Sequence, residues 1–373
     1  FAERPAKQNN LSMGIYRGIC ALAAALLSAT TIFAQETTPA AGNAETSASK
    51  RWGITDFSVS FLRQSADYES PLETQELMGT VVEIVGENGY WLQVSTPQPY
   101  TAWCTNMGVH KVDENGVEDW ISARRYIVTV PHSTIYEKRT NRSKVVCDLV
   151  EGDIIRAVLG KPVPKFRPHG LPVRIQGWAK VQTPGGREGW VRTSDLRDFS
   201  KWAMDSRADE KSVVETAMRF IGTPYLWGGM SPNGFDCSGL VRFAYFMNGT
   251  LLPRNANQMA FCGRQVPVFS DISGEKRKFC ADSLKAGDLL FFGRLGENGQ
   301  EDRITHVGLY IGNGKMIHSS HLVRVNSLFP EDADCYENAH KLLSAVRIVG
   351  HEDETRDERF AVDRIQNSIR YFR

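Results

Sequence analysis

The sequence predicts an α+β domain standing behind two small β-barrels, and three observations predict it. Residues 51–200 carry short β-rich runs divided by turn signals, in an order that occurs twice. Residues 212–221 then place Val213, Val214, Ala217, Phe220 and Ile221 at helical spacing. Finally, 288–292, 304–311, 315–319 and 345–349 read as strands, and helices followed by an antiparallel set of strands indicate α+β.

A chain of 373 residues has room for two or three domains, at ~100–200 residues each. Lysine and arginine number 44 against 43 acidic residues, a formal net charge of +1 that argues against a dedicated nucleic-acid binder. With 42% hydrophobic and 10% aromatic residues the chain can build cores, which excludes wholesale disorder. Seven cysteines without a C-x-x-C pair argue against structural zinc.

From Met13 the text reads as a secretory signal, and the residues before it are expected to lie upstream of the true start. Arg17 supplies the positive region, 19–33 the apolar run, and Ala34 the small residue for cleavage before Gln35. The run is short of the ~20 residues a membrane span needs, and Cys20 preceded by Ile19 is a poor lipoprotein site. Export to the periplasm or cell envelope, or release, is therefore expected, with no stable membrane anchor after cleavage. Residues 35–50, rich in Ala, Thr, Ser and Glu, read as a linker.

The first block is expected over 51–125. There Val81-Val82-Glu83-Ile84-Val85 and Tyr90-Trp91-Leu92-Gln93-Val94 flank Gly86-Glu87-Asn88-Gly89, a hairpin across an Asn-Gly turn. The second, over 126–200, repeats the plan with 153–158, 177–181 and 185–191. Most of its aromatics read as barrel core. The third block spans 208–351, with Asp236-Cys237-Ser238-Gly239 opening a second helix over 240–247. The charged tail, 352–373, is expected to form a terminal helix and is assigned no function.

Six cysteines survive removal of the signal, and three disulfides would be their ordinary use in an oxidising compartment. Cys237 differs in its setting. It follows the glycine-rich stretch 228–234 and stands at the first turn of a helix, where unpaired N–H groups and the helix dipole favour the nucleophilic thiolate. Such a nucleophile stays reduced, which leaves five others, so at least one more thiol is expected to be free.

His306 supplies a candidate base. In Ile304-Thr305-His306-Val307-Gly308-Leu309-Tyr310-Ile311, period-2 alternation puts Val307, Leu309 and Ile311 on the buried face and His306, Gly308 and Tyr310 on the open one. A three-residue Gly312-Asn313-Gly314 loop would pair Ile311 with Lys315, so Gly308 would face His318. His306 and His318 then share a face, one diagonal step apart, and the second imidazole can orient the first. No metal is expected, because His318 and His321 on one strand point to opposite faces.

These segments, Asp236-Cys237-Ser238-Gly239, Thr305-His306-Val307-Gly308-Leu309-Tyr310-Ile311-Gly312 and Ile317-His318, together resemble the NlpC-type cell-wall cysteine peptidases. Gly222-Thr223-Pro224-Tyr225-Leu226-Trp227-Gly228-Gly229 and Ala286-Gly287-Asp288-Leu289-Leu290-Phe291-Phe292 match the same family. The resemblance implies a papain-like α+β fold without a cofactor. In it Cys237 is the nucleophile, His306 the base, His318 the orienting residue, and Tyr225 an oxyanion donor beside the thiolate.

Both β blocks resemble bacterial SH3-like (SH3b) modules, from Tyr90-Trp91-Leu92-Gln93-Val94 and Tyr100-Thr101-Ala102-Trp103. That domain order is similar to the γ-D-glutamyl-L-diamino-acid endopeptidases of the dipeptidyl-peptidase VI type. The likeness implies that the first module walls the site and that the substrate is a murein peptide, L-Ala-γ-D-Glu-diamino acid, with a free N-terminal L-Ala. It further implies that Asp236 and Ser238 hold the ammonium, with Tyr100 and a carboxylate from the first module. Glu73 is the candidate for that carboxylate, although Pro71-Leu72-Glu73-Thr74-Gln75 departs from the family's usual glutamate position. Asp236 as a helix cap is compatible with that role. A monomer is expected. The alternatives are a general wall endopeptidase that grips the polymer with its SH3b modules, and an inactive wall-binding protein.

Overall fold

A computed structural model describes residues 50–98, 100–160, 174–270, 277–296 and 303–372; the expected signal segment and residues 35–49 of the linker lie outside the described residues. The first block comprises β1 (Arg51–Thr55), β2 (Val59–Arg63), β3 (Leu72–Leu77), β4 (Val81–Asn88), β5 (Trp91–Ser95), β6 (Thr101–Thr105), β7 (Val109–Val112) and α1 (Glu114–Ser122). The second comprises β8 (Arg125–Val128), β9 (His132–Tyr136), β10 (Val145–Val150), β11 (Ile154–Ala157), β12 (Arg174–Ile175), β13 (Trp178–Gln182), β14 (Glu188–Arg192), β15 (Leu196–Asp198) and α2 (Phe199–Asp205).

The sheet orders are β3-β2-β6-β5-β4-β1-β7 and β10-β9-β14-β13-β11-β8-β15, with β12 attached to β13. Strand for strand these are the same order, so the repeat read in the sequence is a repeat of topology. Each copy ends on an aspartate-capped helix: Asp113 accepts from the Gly116 N–H and Asp198 from the Lys201 N–H. The β4–β5 hairpin turns later than expected. Asn88 pairs with Trp91 across Gly89-Tyr90, and a bulge between Ile84 and Gly86 carries the first glycine inside the strand.

Each module fills its interior with alternating apolar residues, Leu62, Val82, Leu92 and Val94 in the first and Tyr126, Ile135, Leu149 and Val181 in the second. A larger core joins them to the third block. Ile54, Leu77 and Trp120 of the first module and Ile127, Val150 and Ile154 of the second are continuous with Phe220, Phe235, Phe243 and Tyr245. The modules are thus packed onto the third block through shared apolar surface rather than held by linkers alone.

The third block contains α3 (Glu210–Met218), β16 (Met230–Ser231), β17 (Gly234–Phe235), α4 (Cys237–Phe246), β18 (Thr250–Leu251) and α5 (Ala256–Met259). Its strands β19 (Arg264–Val266), β20 (Leu289–Arg294), β21 (Arg303–Gly312), β22 (Lys315–Ser320), β23 (Leu322–Ser327) and β24 (Leu342–Arg347) form one antiparallel sheet. Its order is β19-β24-β20-β21-β22-β23. The helix α4 packs across β21 and β22, burying Leu240, Val241 and Ala244 against Val307, Leu309 and Ile317.

Two expectations are corrected here. The His306 face of β21 is not open: Gly308 and Tyr310 are buried, and a second core of Phe292, Tyr310, Met316 and Tyr336 covers that side. The reason is that β21 is an interior strand, and the chain after β23 returns across its far face. The charged tail forms no α-helix but short 3-10 turns and a two-residue strand β25 (Asp363–Arg364), paired with β18. Tertiary anchors decide its path, since Ile365 and Tyr371 are buried and the Arg125 guanidinium donates to the Tyr371 carbonyl at 2.6 Å. Among the described residues no helix is long and apolar enough to cross a membrane.

Candidate active site

Asp236 caps α4 and sets Cys237 at its first turn, its Oδ1 accepting from the Gly239 N–H at 2.6 Å. A β-carbon on Gly239 would stand 2.0 Å from the Gly229 carbonyl, so only glycine lets the helix start this close to the preceding loop. The backbone N–H groups of Val307 and Ser238 lie close enough to the sulfur to favour its charged form, which sets the helix start beside the residue after His306. Burial nevertheless dominates the thiol. It pushes Cys237 up to about 11, the Asp236 carboxylate adding to the effect and the N–H donors and Arg254 opposing it. At this partly buried sulfur the helix-start donors that favour a thiolate are thus opposed by desolvation, the larger influence. All six described cysteines are free, so the three-disulfide reading is not realised.

His306 Nε2 lies 2.8 Å from His318 Nδ1, and His318 Nε2 lies 2.9 Å from Asn326 Oδ1. The register explains the line. Leu309 pairs with Ile317 and Tyr310 with Met316, which places Gly308 opposite His318 as expected. The loop that does this differs from the expected three-residue one. Gly312 pairs with Lys315 across a tight Asn313-Gly314 turn, both residues at positive φ, and a bulge at Ile311 supplies the odd residue. A two-residue turn alone would have put the histidines on opposite faces; the bulge restores the shared face.

Burial drives His306 down to about 3, with His318 and Arg324 adding to it. Burial likewise brings His318 down to about 4, against the Asn326 hydrogen bond. Tyr336 packs on both rings, at 5.6 Å from His306 and 4.7 Å from His318 between centroids, and lies within the field of Cys237. Tyr225 is fixed through its N–H to the His321 carbonyl at 2.9 Å. Burial, with Cys237 and Asp236 nearby, raises its hydroxyl well above the ordinary tyrosine range, so it stays a donor.

The first module reaches this site along β3, whose successive residues dock on the third block. Thr74 Oγ1 accepts from Arg254 Nε at 2.6 Å, and Gln75 Oε1 accepts from the Met230 N–H and the Ser231 hydroxyl. Glu76 faces Arg242 at 3.6 Å. Glu73, next along the strand, accepts from the Tyr100 hydroxyl at 2.5 Å. Tyr100 also lies within the influence of Asn255 and Arg254, so this pair stands against the segment that holds Asp236.

Asp236, the expected cap of α4, and Ser238 join Arg254 in one polar cluster. The Asp236 carboxylate takes both Arg254 Nη atoms, at 2.5 and 3.2 Å, besides the N–H groups of Gly228 and Gly239 and the Ser238 hydroxyl. Ser238 also accepts from Arg254 at 2.9 Å. Asp236 is thus already charge-paired, and Glu73 is the carboxylate that a hydroxyl solvates rather than a cation cancels. Sequence reading missed Arg254, Asn326 and Tyr336. The signal for Arg254 was a cation directly after the apolar Leu251-Leu252-Pro253 run; for Asn326 it was an amide within the alternating strand that follows His318.

Residues 222–336 match the NlpC/P60 family. The chain is 31% identical over 282 residues to the gamma-D-glutamyl-L-lysine dipeptidyl-peptidase of Bacillus subtilis, covering 75% of this chain and 81% of that protein. The chain belongs to the NlpC/P60 family. A second relative of this NlpC/P60 protein is dipeptidyl-peptidase 6 of Lysinibacillus sphaericus, 28% identical over 70% of this chain and 86% of that one. The crystal structure of an NlpC/P60 family protein from Bacillus cereus superposes with a TM-score of 0.60 at 21% identity, over 80% of this chain and 99% of that chain. That likeness extends the shared fold across the β-rich modules as well as the NlpC/P60 domain.

Proposed function

We propose that this chain is an exported, monomeric cysteine endopeptidase that cleaves the γ-D-glutamyl–diamino acid bond of short murein peptides with a free N-terminal L-Ala. The names of the two relatives support this reading. In it the two β modules are SH3-like, and the first forms the closed end of the substrate groove.

Each residue then has a task. Cys237 Sγ attacks the side-chain carbonyl carbon of D-Glu while His306 takes the thiol proton. The C–N bond breaks as His306 returns that proton to the departing amine of the diamino acid. This leaves a thioester, which water hydrolyses to regenerate the thiol. The Tyr225 hydroxyl and backbone N–H groups at the start of α4 stabilise the oxyanion. At the other end Asp236 and Ser238, with Tyr100 and Glu73 of the first module, receive the L-Ala ammonium.

The single observation that carries the proposal is the docking of β3. It brings Thr74, the neighbour of the Tyr100-bonded Glu73, to the same Arg254 that braces the cap of the Cys237 helix. The test is turnover of L-Ala-γ-D-Glu-diaminopimelate, read by mass spectrometry. Wild type releases the dipeptide L-Ala-D-Glu and free diamino acid, and Cys237→Ala releases neither while keeping its circular dichroism. Equal turnover by Cys237→Ala would reject the mechanism. Cleavage of intact crosslinked wall in preference to the tripeptide would favour the general wall endopeptidase instead.

A further inference from the structure

Asn326 stands on β23 two residues beyond Arg324, the register partner of His318. Its side chain therefore leaves the same face as His318, one diagonal step further on, so that His306, His318 and Asn326 form a line across three adjacent strands.

Chemistry fixes which atom of the amide meets the ring. Asn326 Nδ2 donates to the Asp334 carbonyl at 2.8 Å, and a carbonyl can only accept. Oδ1 is then the atom turned toward His318 Nε2, so that nitrogen must carry the hydrogen. Burial keeps both imidazoles neutral, and a neutral imidazole has a single N–H. His318 Nδ1 is consequently a lone pair and accepts from His306 Nε2–H. His306 Nδ1 is left bare, as a base requires. The anchor of this line is itself held, because the Asp334 carbonyl also accepts the Ser327 N–H at 3.0 Å and its carboxylate pairs with Lys315.

We propose that Asn326 is a positioning residue that locks His318, and through it His306, in the Nε2–H tautomer, leaving His306 Nδ1 as the proton acceptor for Cys237. This rests on the reading of Cys237 and His306 as nucleophile and base. Without the Asn326 acceptor, His318 could carry its proton on Nδ1. That proton would oppose the His306 Nε2–H and favour the His306 tautomer that presents a hydrogen to the thiol.

The direct test is 15N NMR of the full chain with labelled histidine. Both rings should show the Nε2–H pattern, and an Nδ1–H pattern at His306 would overturn the assignment without any variant having to fold. The kinetic arm compares Asn326→Leu, of similar size but unable to accept, with Asn326→Asp, which keeps an acceptor. Asn326→Leu should lower kcat roughly tenfold or more with KM within about twofold, and Asn326→Asp should retain more of kcat than Leu. Equal losses in the two variants, or a Leu variant within twofold of wild type, would overturn the role. If wild type shows the Nε2–H pattern yet leaves the tripeptide uncut, the tautomer lock stands and the substrate assignment falls.

Discussion

Cys237 is pulled two ways. The N–H donors at the helix start and the Arg254 cation favour the thiolate, while burial and the Asp236 carboxylate favour the thiol, and burial wins. In the proposed mechanism, proton transfer to His306 then belongs to the attack itself rather than preceding it. Alkylation of Cys237 by iodoacetamide should accelerate with pH through an apparent pKa above that of an ordinary thiol, ~8.5. A rate already at its plateau by pH 7 would contradict this. His306 acts in the opposite direction. Its pKa is depressed, as is that of His318, so the neutral pair persists as pH falls, and kcat/KM should hold down to an acid limb near about 4, where His318 takes up a proton first. An acid limb near 6.5 would contradict the depressed value, since kcat/KM reports the ionisations of the free enzyme. At Glu73 the expected role is charge: Glu73→Gln should lower kcat/KM for the free-ammonium tripeptide by roughly tenfold to a hundredfold. Loss of less than twofold would remove Glu73 from the site.

At the scale of elements, the hairpin β21–β22 shows what a sequence can and cannot disclose. Period-2 alternation was enough to read that Val307 and Leu309 are buried, while the shared face of His306 and His318 was read from an assumed three-residue loop. The local turn was not legible. Glycine at 312 and 314 permits a three-residue loop as well as a tight turn with a bulge, and both give the same register at His318. Nor was the covering of the His306 face legible, since the segment that packs Tyr336 against it returns from beyond β23. Asn326 escaped notice for a related reason: its meaning depends on the register of a third strand. The close packing around Gly308 offers a test. A β-carbon there would lie 2.5 Å from Met316 Sδ and 3.5 Å from His318 Cβ. Gly308→Val should therefore push Met316 aside and crowd His318, lowering kcat more than it raises KM and costing roughly 1–3 kcal/mol of stability. Wild-type kcat in that variant would show that the histidine pair tolerates movement.

Across the whole molecule, Arg254 joins what the sequence presented as separate blocks. It is 2% exposed, pairs with the Asp236 cap, supports Ser238 and reaches Thr74 on the first module. Pairwise contacts of that separation leave no periodic trace, so the domain order was readable while the polar seam between domains was not. Arg254→Met should strand the Asp236 carboxylate and destabilise the protein by roughly 3–5 kcal/mol, seen as a lower urea midpoint. An unchanged midpoint would mean the seam contributes little. The central claim is that the first module closes the groove around a free ammonium group beside Glu73 and Tyr100. The most direct measurement is kcat/KM for L-Ala-γ-D-Glu-diaminopimelate against its N-acetylated form. The closed groove predicts that acetylation lowers kcat/KM by roughly a hundredfold or more, the cost of leaving a buried charge unpaired; equal values would show that this end of the site is open and contradict the account.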